Sequence, residues 1–442
     1  MATAEASANA ITELVSRILD RRAVVSVLGQ GYVGLSLACT AAGTGFPLVG
    51  IDVDEDRIAE LDGGNLTVPG VNEKVFSAST ASNHLLFTSD PSPIGRSDVV
   101  VICVPTPLKD QGPDLSFVQA ACSTIAKHLT AGTLVVMEST TYPGTTEDVV
   151  RPLLESSGLI AGRDFSLAYC PERIDPGNHE FEFSRIPRVV GGIDPASALA
   201  ASTFYEQFVD EIVTVSSCRT AELAKLLENT FRHVNIGLVN EMAILCGKTG
   251  IDVWEVIEAA ATKPFGFMPF YPGPGVGGHC IPLDPTYLAW QMRRDVGHQF
   301  RILEQSQDIN AQMPEYVGTR ISDALNDAGK AVNGSRVLIL GVAYKPEVGD
   351  VRESPSLMVM DWLVRRGANV SFNDPYVEAV TVKGQRIEGT HLDSSALRAA
   401  DCVALLTPHA KYDLETIARH APLIFDARNA YGDHDYSNVV RL

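Results

Sequence analysis

The sequence has little that would suit a membrane or a nucleic acid. No apolar run in its 442 residues approaches the ~18 residues that a helix needs to cross a bilayer. The formal net charge of −19 argues against nucleic acid or an anionic membrane surface as a partner. A phosphate-bearing ligand is still compatible with this charge, because glycine loops and helix N-termini bind anions locally. The opening stretch, MATAEASANAITELVSRILD, lacks the basic start of a secretory signal and predicts a short amphipathic helix.

Cysteine pairs at metal-binding spacing are also missing. None of the eight cysteines forms a CxxC pair, so we expect no zinc site and no other metal. Cysteines scattered through apolar segments are typical of reduced cytosolic proteins, which predicts a cytoplasmic location. The length and the apolar content of 45% are enough for two or three domains with hydrophobic cores.

A glycine-rich turn follows the first predicted strand. The buried run AVVSVL leads directly into GQGYVG, a GxGxxG motif, and a small-residue helix follows. In this setting GxGxxG is the dinucleotide-binding fingerprint. Gly29 makes the tight turn, Gly31 lets the backbone approach a pyrophosphate, and Gly34 lets the helix pack on the strand. The turn therefore predicts a Rossmann domain that binds a dinucleotide.

The choice between NAD and NADP depends on two residues after the second strand. Asp52 ends that strand and would accept hydrogen bonds from the adenosine ribose, and its charge would repel a 2′-phosphate. Arg57 favours the opposite choice, since an arginine can bind a 2′-phosphate. We give Asp52 more weight and predict NAD as the cofactor.

Polar residues follow three further strands of the same region. Thr106 comes after SDVVVICV, Thr140 after TLVVM, and Glu172 after SLAYC. Ligands of doubly wound sheets bind outside the carboxyl ends of the strands, so these residues are candidates for contact with cofactor or substrate. The alternatives are that each threonine caps a helix or turn, and that Glu172 forms a surface ion pair with Arg173.

The last third of the chain repeats this order of strands. SRVLILG, ANVSFND, DCVALLT and PLIFD predict a second doubly wound domain that lacks GxGxxG. Lys345 and Arg352 lie near a strand end there and suit a diphosphate. The predicted fold class is therefore α/β, with two doubly wound Rossmann-like domains joined by a central helical domain. The predicted boundaries are 1–215, 216–328 and 329–442.

The central part contains a long helical pattern and a glycine–proline loop. Lys225 and Asn229 share one face of the helix TAELAKLLENTFRHVNIGLVNEMAILCGKTG. Periodicity alone does not single them out, and the alternative is that both are solvated surface residues. The loop GPGVGGHCIPLDP contains Cys280 and, four residues later, Asp284. Glycine permits close backbone approaches and proline stiffens the loop, so it can hold a thiol against a ligand. A buried structural thiol is the alternative at this point.

Taken in order, the motifs resemble those of one family over nearly the whole chain. GQGYVG, CVPTP, ESTTYPG, CPER, ELAKLLENT, GPGVGGHCIPLDP and GVAYKPEVGDVRES resemble the UDP-glucose/GDP-mannose 6-dehydrogenases. The His–Cys form of the loop, with FGFMPFYPGPG before it, is similar to the UDP-N-acetylhexosamine branch. The UDP-glucose branch more often has serine where this chain has His279. We expect His279 to be structural or to contact the substrate.

The resemblance implies three sets of residues. It implies catalytic roles for Cys280, Lys225, Asp284, Asn229, Glu172 and Thr140. It implies cofactor contacts for Gly29, Gly31, Tyr32, Val33, Gly34, Asp52, Arg57, Thr106, Thr140 and Arg352. It implies substrate contacts for Glu172, Lys225, Asn229, Tyr271, Gly277, Tyr344, Lys345 and Arg428. The resemblance implies that Glu172 takes part in hydrolysis of the thioester. UDP-glucose members usually have a second glutamate after the PE motif, where this chain reads Ile174-Asp175-Pro176. This difference leaves more of the hydrolytic role to Glu172 or shifts it to Asp284.

The implied reaction is a four-electron oxidation of a nucleotide sugar, with two NAD reduced, through a thiohemiacetal and a thioester on Cys280. A free thiol has a pKa near 8.5, so the nucleophile needs a cation, for which Lys225 is the candidate.

The substrate alternatives are UDP-glucose and TDP-glucose. The functional alternatives are a two-electron hydroxy-acid dehydrogenase and a catalytically inactive nucleotide-binding protein. We also expect a homodimer formed through the central helices, without nucleic acid or membrane partners.

Overall fold

The computed structural model of the chain describes residues 2–109, 112–174, 183–278, 281–434 and 436–442. The chain divides into two units, Met1–Glu228 with Thr286–Arg294, and Asn229–Pro285 with Asp295–Leu442. The predicted residues His279 and Cys280 lie outside the described residues. So do Asp175 and Pro176 of the stretch Ile174-Asp175-Pro176, in which this chain differs from the UDP-glucose members. The division into three domains stays a prediction.

The first unit begins with helix α1 (Ala2–Leu19) and then alternates strands and helices. Its strands are β1 (Val25–Leu28), β2 (Leu48–Ile51), β3 (Leu85–Thr88), β4 (Val99–Ile102), β5 (Leu108–Lys109), β6 (Gly112–Pro113), β7 (Leu134–Met137), β8 (Ser166–Tyr169), β9 (Arg188–Gly192) and β10 (Ile212–Val215). Its further helices are α2 (Tyr32–Gly43), α3 (Glu55–Asp62), α4 (Glu73–Ala81), α5 (Ser116–His128), α6 (Arg151–Glu155) and α7 (Pro195–Tyr205).

The main sheet of this unit has the strand order β10-β9-β8-β7-β4-β1-β2-β3. Neighbours from β3 to β8 are parallel, whereas β9 pairs antiparallel with β8. Strand β1 lies between β2 and β4, where the strand order reverses, and ligands of such sheets bind in the crevice at this point. Strands β1, β2, β4, β7 and β8 are buried along their whole length, as expected when helices cover both faces of a parallel sheet.

Side-chain caps fix where several of these helices begin. Asp54 accepts a hydrogen bond from the backbone N–H of Arg57 at the start of α3. Asp194 accepts one from the N–H of Ser197 at the start of α7. A carboxylate at this position satisfies an N–H that the helix itself leaves unpaired, which is why aspartate starts helices well. Helix α2 differs, because Gly31 precedes it and has no side chain to occupy those N–H groups.

Four α-helices follow in the described part of the chain. They are α8 (Cys218–Thr249), α9 (Val253–Ala261), α10 (Asp284–Gln291) and α11 (Arg301–Asp327). Helix α8 confirms the helix predicted from Thr220 and begins two residues earlier. The boundary between the two units falls within α8, after Glu228.

The rest of the second unit contains another parallel sheet. Its strands are β11 (Arg336–Leu340), β12 (Asn369–Asn373), β13 (Ala379–Val382), β14 (Gln385–Glu388), β15 (Cys402–Leu405), β16 (Ile424–Asp426) and β17 (Val439–Arg441), with helices α12 (Pro355–Arg365), α13 (Ser394–Ala399) and α14 (Leu414–His420). The strand order β12-β11-β15-β16-β17 is parallel throughout, while β13 and β14 form a separate hairpin. The predicted fold class is confirmed. None of the described helices combines the length and hydropathy needed to span a bilayer.

Candidate active site

The turn after β1 has the geometry of a pyrophosphate-binding turn. Gly29 has φ +92°, and a Cβ there would lie 2.6 Å from the carbonyl oxygen of Cys103. A Cβ on Gly34 would lie 1.9 Å from the carbonyl oxygen of Gly29, so the helix and the turn pack without room for a side chain. No described atom lies within 4 Å of the Cβ position of Gly31. Open space next to the first N–H groups of α2 leaves room for an anion at a helix N-terminus.

Asp52 and Arg57, which favour opposite cofactors in the sequence analysis, form an ion pair in the structure. Oδ2 of Asp52 accepts a hydrogen bond of 2.6 Å from the N–H of Gln30 and lies 3.0 Å from Nη1 of Arg57. Its other oxygen, Oδ1, accepts a hydrogen bond from the N–H of Asp54. The aspartate is buried and the arginine side chain is about a third exposed. The carboxylate therefore holds both the glycine turn and the arginine.

The loops after β4 and β7 are joined to each other and to α10. Thr106 Oγ1 donates a hydrogen bond of 2.8 Å to the carbonyl oxygen of Thr140. Tyr287 of α10 donates to the carbonyl oxygen of Thr106, and Gln291 Nε2 donates to that of Pro143 at 2.6 Å. The structure therefore brings the predicted residues Thr106 and Thr140 together and fixes their loops against one helix.

A buried glutamate on α8 holds the same region. Glu222 accepts hydrogen bonds from the N–H groups of Gly144 and Thr146, and from Thr146 Oγ1 at 2.7 Å. Burial raises the pKa of Glu222 to about 7, against the lowering effect of these hydrogen bonds. The sequence analysis missed this residue. Its position three residues before Lys225, on the same face of the helix, was the available signal.

A buried charge cluster lies at the strand end that carries Glu172. Arg188 Nη1 donates to the carbonyl oxygen of Pro171 at 3.2 Å and lies 3.5 Å from Glu138 Oε1. Tyr205 Oη donates to the same oxygen of Glu138 at 2.6 Å. Arg188 and Glu138 are both fully buried, so each ion is stabilised mainly by the other. Arg188 thereby fixes the backbone immediately before Glu172, which is itself buried.

Arg173, the alternative partner for Glu172, has other contacts. Its Nη2 lies 2.8 Å from Glu228 Oε1, and its Nη1 donates to the carbonyl oxygen of Pro187.

Two cysteines near the charge cluster are unsuited to nucleophilic chemistry. Burial raises the pKa of Cys170 to about 12 and raises that of Cys103 as well, so both thiols stay protonated at neutral pH.

Two of the predicted catalytic side chains meet next to the cysteine loop. Asn229 Nδ2 donates a hydrogen bond of 2.6 Å to Oδ2 of Asp284, the first residue of α10, and both side chains are buried. Lys225 lies four residues earlier on α8 and is buried too. The pairing of Asn229 with Asp284 joins the helix to the end of the loop that contains Cys280.

Three glycines of that loop allow close contact with two of the predicted side chains, Arg428 and Tyr344. A Cβ on Gly273 would lie 2.3 Å from Nη1 of Arg428. A Cβ on Gly277 would lie 2.8 Å from Cβ of Tyr344, and one on Gly278 2.7 Å from its ring. Gly278 has φ +87°, a conformation that favours glycine. The structure thus brings the predicted substrate residues Gly277, Tyr344 and Arg428 to one loop.

The other predicted residues of the second unit include Arg352, whose carbonyl oxygen accepts a hydrogen bond of 3.2 Å from the N–H of Gly278 in this loop. Lys345 is half-buried directly after Tyr344. Arg352 has a largely exposed side chain, and its Nη2 lies 2.7 Å from Oδ2 of Asp350. Tyr271 is 52% exposed and stacks on Trp254 with ring centroids 6.3 Å apart.

Comparison with known proteins identifies this arrangement. Models of the UDP-glucose/GDP-mannose dehydrogenase family match the chain with their NAD binding domain at 23–209, central domain at 219–312 and UDP binding domain at 338–433. The chain belongs to the UDP-glucose/GDP-mannose dehydrogenase family. The turn at Gly31 fits the cofactor, and NAD is the dinucleotide of this family's first domain.

Relatives within the dehydrogenase family cover nearly the whole chain. It is 35% identical to the protein CapL of Staphylococcus aureus, over 95% of this chain and 98% of the relative. It is 35% identical to a UDP-N-acetyl-D-mannosamine dehydrogenase of Pyrococcus horikoshii, over 92% of this chain and 95% of the relative. A solved structure of a UDP-D-ManNAc dehydrogenase from P. horikoshii matches with a TM-score of 0.85 and 33% identity, covering 95% of this chain and 98% of that one.

The UDP binding domain of this dehydrogenase contains its own strand-end acid, used differently from Asp52. Asp374 follows β12 and is fully paired within the domain. Its donors are the N–H groups of Val342, Ala343 and Tyr376, and Nε2 of His409. His409 Nδ1 accepts from the N–H of Glu347, so the proton of the neutral ring is on Nε2. Burial alone would raise the pKa of Asp374, but the hydrogen bonds from His409 and the backbone lower it overall.

Proposed function

We propose that the protein is a UDP-N-acetylhexosamine 6-dehydrogenase, which oxidises the C6 hydroxyl of the sugar to a carboxylate and reduces two NAD per sugar. Family membership supports a nucleotide sugar and NAD. The name of the Pyrococcus relative favours an N-acetylated sugar over glucose. The observation on which the chemistry rests is the buried hydrogen bond between Asn229 and Asp284, because it assembles an amide and a carboxylate beside the loop of Cys280.

In the first half of the reaction, Asp284 receives the proton of the 6-hydroxyl directly or through a water molecule. NAD, when bound, accepts a hydride in each of the two oxidations. Cys280, as the thiolate, adds to the aldehyde and keeps it bound as a thiohemiacetal. Lys225 favours the thiolate through its positive charge. Lys225 and Asn229 also stabilise the oxyanion, an interaction typically worth about 3–4 kcal/mol per donor.

In the second half, the thiohemiacetal is oxidised to a thioester and water releases the acid. We propose that Glu172 and Thr140 hold and activate that water. Glu172 is suited to this role because its backbone is fixed by the hydrogen bond from Arg188 to Pro171. The uridine diphosphate is proposed to contact Tyr344, Lys345, Arg428 and Gly277, of which three meet at one loop.

The test is a set of nucleotide sugars assayed under one condition. We expect kcat/KM to be highest for UDP-N-acetylglucosamine or UDP-N-acetylmannosamine, and NADH formed per sugar consumed to be two. A kcat/KM for a glucose nucleotide more than tenfold above those of the N-acetylated sugars would assign the protein to the glucose branch. A ratio of one would support a two-electron dehydrogenase. Binding of NAD and nucleotide sugar without turnover of any of them would support an inactive nucleotide-binding protein.

The role of Cys280 is tested by replacement. Cys280→Ala should abolish formation of the acid and leave the dissociation constant of NAD unchanged, because the glycine turn that binds NAD is a separate element. Cys218→Ala serves as the matched control, since Cys218 is a buried thiol whose pKa burial raises. Normal acid production by Cys280→Ala would overturn covalent catalysis.

We also propose a homodimer formed through α8. Leucine and phenylalanine side chains along this helix are exposed: Leu227 (63%), Phe231 (46%), Leu238 (58%) and Leu245 (52%). Spacings of four and seven residues put them on one face of the helix, and exposed apolar faces of this kind mark interaction sites. Light scattering should give twice the chain mass of 47.5 kDa. Leu238→Glu should yield monomers, whereas Leu199→Glu, at an exposed leucine of α7, should not.

The proposed domain boundaries remain 1–215, 216–328 and 329–442. They agree with the positions of the sheets, which end at β10 and resume at β11. Limited proteolysis followed by mass spectrometry should give first cuts near 215 and 328, and first cuts within β1–β4 or β11–β16 would contradict these boundaries.

A further inference from the structure

Two buried asparagines form a hydrogen bond between α8 and α11. Asn240 Nδ2 donates to Oδ1 of Asn310 at 2.9 Å, and both side chains are at most 5% exposed. A buried amide without partners is costly, because its desolvation is not compensated. Both amides make further hydrogen bonds, which compensate for their burial.

The pair continues at both ends into backbone groups. The N–H of Gly273 donates to Asn240 Oδ1 at 3.1 Å, and Asn310 Nδ2 donates to the carbonyl oxygen of His233 at 3.2 Å. A backbone N–H can only donate and a backbone carbonyl can only accept. The orientation of both amides is therefore fixed from the two ends, and the chain of hydrogen bonds runs in one direction from Gly273 to His233.

The imidazole of His233 extends this chain. Its Nε2 lies 3.3 Å from Asn310 Nδ2, which already donates to the backbone, so Nε2 faces a donor and acts as an acceptor. Burial lowers the pKa of His233 to about 4, so the ring is neutral at pH 7. With Nε2 as the acceptor, the proton of the ring is on Nδ1.

One end of this chain of hydrogen bonds lies at the start of the loop that contains the proposed nucleophile. Gly273 opens this loop seven residues before Cys280. The residues that follow are rich in glycine, whose backbone has the greatest conformational freedom, so contacts from outside help to fix the start of the loop. Gly275, with φ +136°, also packs against Asn310: a Cβ there would lie 3.3 Å from the carbonyl oxygen of Asn310.

We propose that Asn240, Asn310 and His233 are positioning residues that hold the start of the Cys280 loop, at Gly273 and Gly275, and so set the reactivity of its thiol. The proposal rests on the proposed role of Cys280 as nucleophile. The three side chains act through the backbone of the loop. A purely structural role in packing α8 on α11 would alter stability and leave the reactivity of the thiol unchanged.

The deciding variant is Asn310→Asp in the full-length protein. It keeps the shape of the side chain but replaces its NH2 group, so that an oxygen faces the carbonyl of His233 and Nε2, which are both acceptors. The control is Asn235→Asp on the same helix α8, whose Nδ2 donates to the carbonyl oxygen of Phe231 within that helix. The readouts are kcat, KM for NAD, and the pH dependence of alkylation of the Cys280 peptide by iodoacetamide, followed by mass spectrometry.

For Asn310→Asp we expect alkylation of Cys280 to slow and its pH midpoint to shift, with kcat reduced about 10- to 100-fold and KM for NAD unchanged. Misplacement of a reacting group by about 1 Å can have an effect of this size. Asn235→Asp should match the wild type in all three readouts. If Asn310→Asp fails to fold, His233→Gln decides, because it keeps the backbone bond from Asn310 and removes the imidazole that faces Asn310 Nδ2.

A folded Asn310→Asp or His233→Gln with wild-type alkylation and wild-type kcat would overturn the positioning role. Cys280→Ala assayed in parallel separates this failure from that of the proposed function. If Cys280→Ala makes no acid and the positioning variants behave like wild type, the positioning role alone fails. If Cys280→Ala still makes acid, covalent catalysis fails, and the alkylation profiles still decide whether the three residues control the thiol.

Discussion

Asp52 and Arg57 form an ion pair, with Nη1 of the arginine 3.0 Å from Oδ2 of the aspartate. Asp52→Asn should remove the charge that repels a 2′-phosphate and release Arg57 to bind it. Since hydrogen bonds to charged groups contribute about 1.5–3 kcal/mol, kcat/KM for NAD should fall roughly 10- to 100-fold. The ratio of kcat/KM for NAD to kcat/KM for NADP should fall at the same time.

Arg57→Ala is the companion variant for this pair. It should leave NAD activity within a few-fold of wild type and lower NADP activity further. Equal use of NAD and NADP by the wild type would mean that Arg57, and not Asp52, controls the choice.

The hydrogen bonds of Asp374 lead to a prediction of the number of NAD molecules that bind to each chain. The Asp374 side chain is fully buried, and its Oδ2 already accepts hydrogen bonds from two backbone N–H groups and from His409. For this reason we expect it not to bind an adenosine ribose, unlike Asp52, whose partner Arg57 is partly exposed. Isothermal titration with NAD should therefore saturate at one site per chain. His409→Leu should lower the melting temperature without changing the affinity for NAD, and a second NAD site in the wild type would contradict this account.

Glu222 predicts a pH dependence of stability. Its pKa in the folded chain, about 7, is above its ordinary value of 4.5, so the folded state binds the extra proton. This contribution is fully present below about pH 4.5 and is lost as the pH rises through 7. The wild type should lose roughly 3 kcal/mol relative to Glu222→Gln across this range.

Thermal melting of both proteins at pH 5, 6, 7 and 8 measures this difference. The gap between the two melting temperatures should change steadily from pH 5 to 7 and level off above. A gap that stays constant with pH would show that Glu222 does not titrate in this range.

The pair of Arg188 and Glu138 predicts non-additive effects on stability. Arg188→Met should destabilise the protein by about 3–5 kcal/mol, because it leaves the buried carboxylate of Glu138 without its cation. Arg188→Met combined with Glu138→Gln should be less harmful than Arg188→Met alone, since no unpaired charge then remains. Denaturant unfolding of the two single variants and the double variant gives the coupling, and strict additivity would argue against a coupled pair.

Much of the fold could be predicted because its signals are local. Short apolar runs such as AVVSVL and TLVVM became buried parallel strands, and the glycine turn followed β1 as the motif predicts. Strands β9 and β10 were not predicted. The run RVVGG of β9 begins with a charge and ends in two glycines, which obscured it.

The contacts that support the site could not be predicted, because their partners are distant in sequence. Glu138 and Arg188 are 50 residues apart, and Asn240 and Asn310 are 70 apart. Which strands or helices become neighbours is decided by the whole topology, and one sequence gives no measure of that. Lys225 and Asn229 were named through the resemblance to the family, whereas Glu222 on the same helix was missed.

Helix α8 makes two of these contacts within the second unit. Asn229 reaches Asp284, and Asn240 reaches Gly273. Each residue added to or removed from an α-helix turns everything beyond it by about 100°. An insertion or deletion of one residue between 229 and 240 would therefore break this alignment, even if both asparagines were kept. In an evolving or engineered version of this chain, the length of that segment is expected to tolerate less change than its composition.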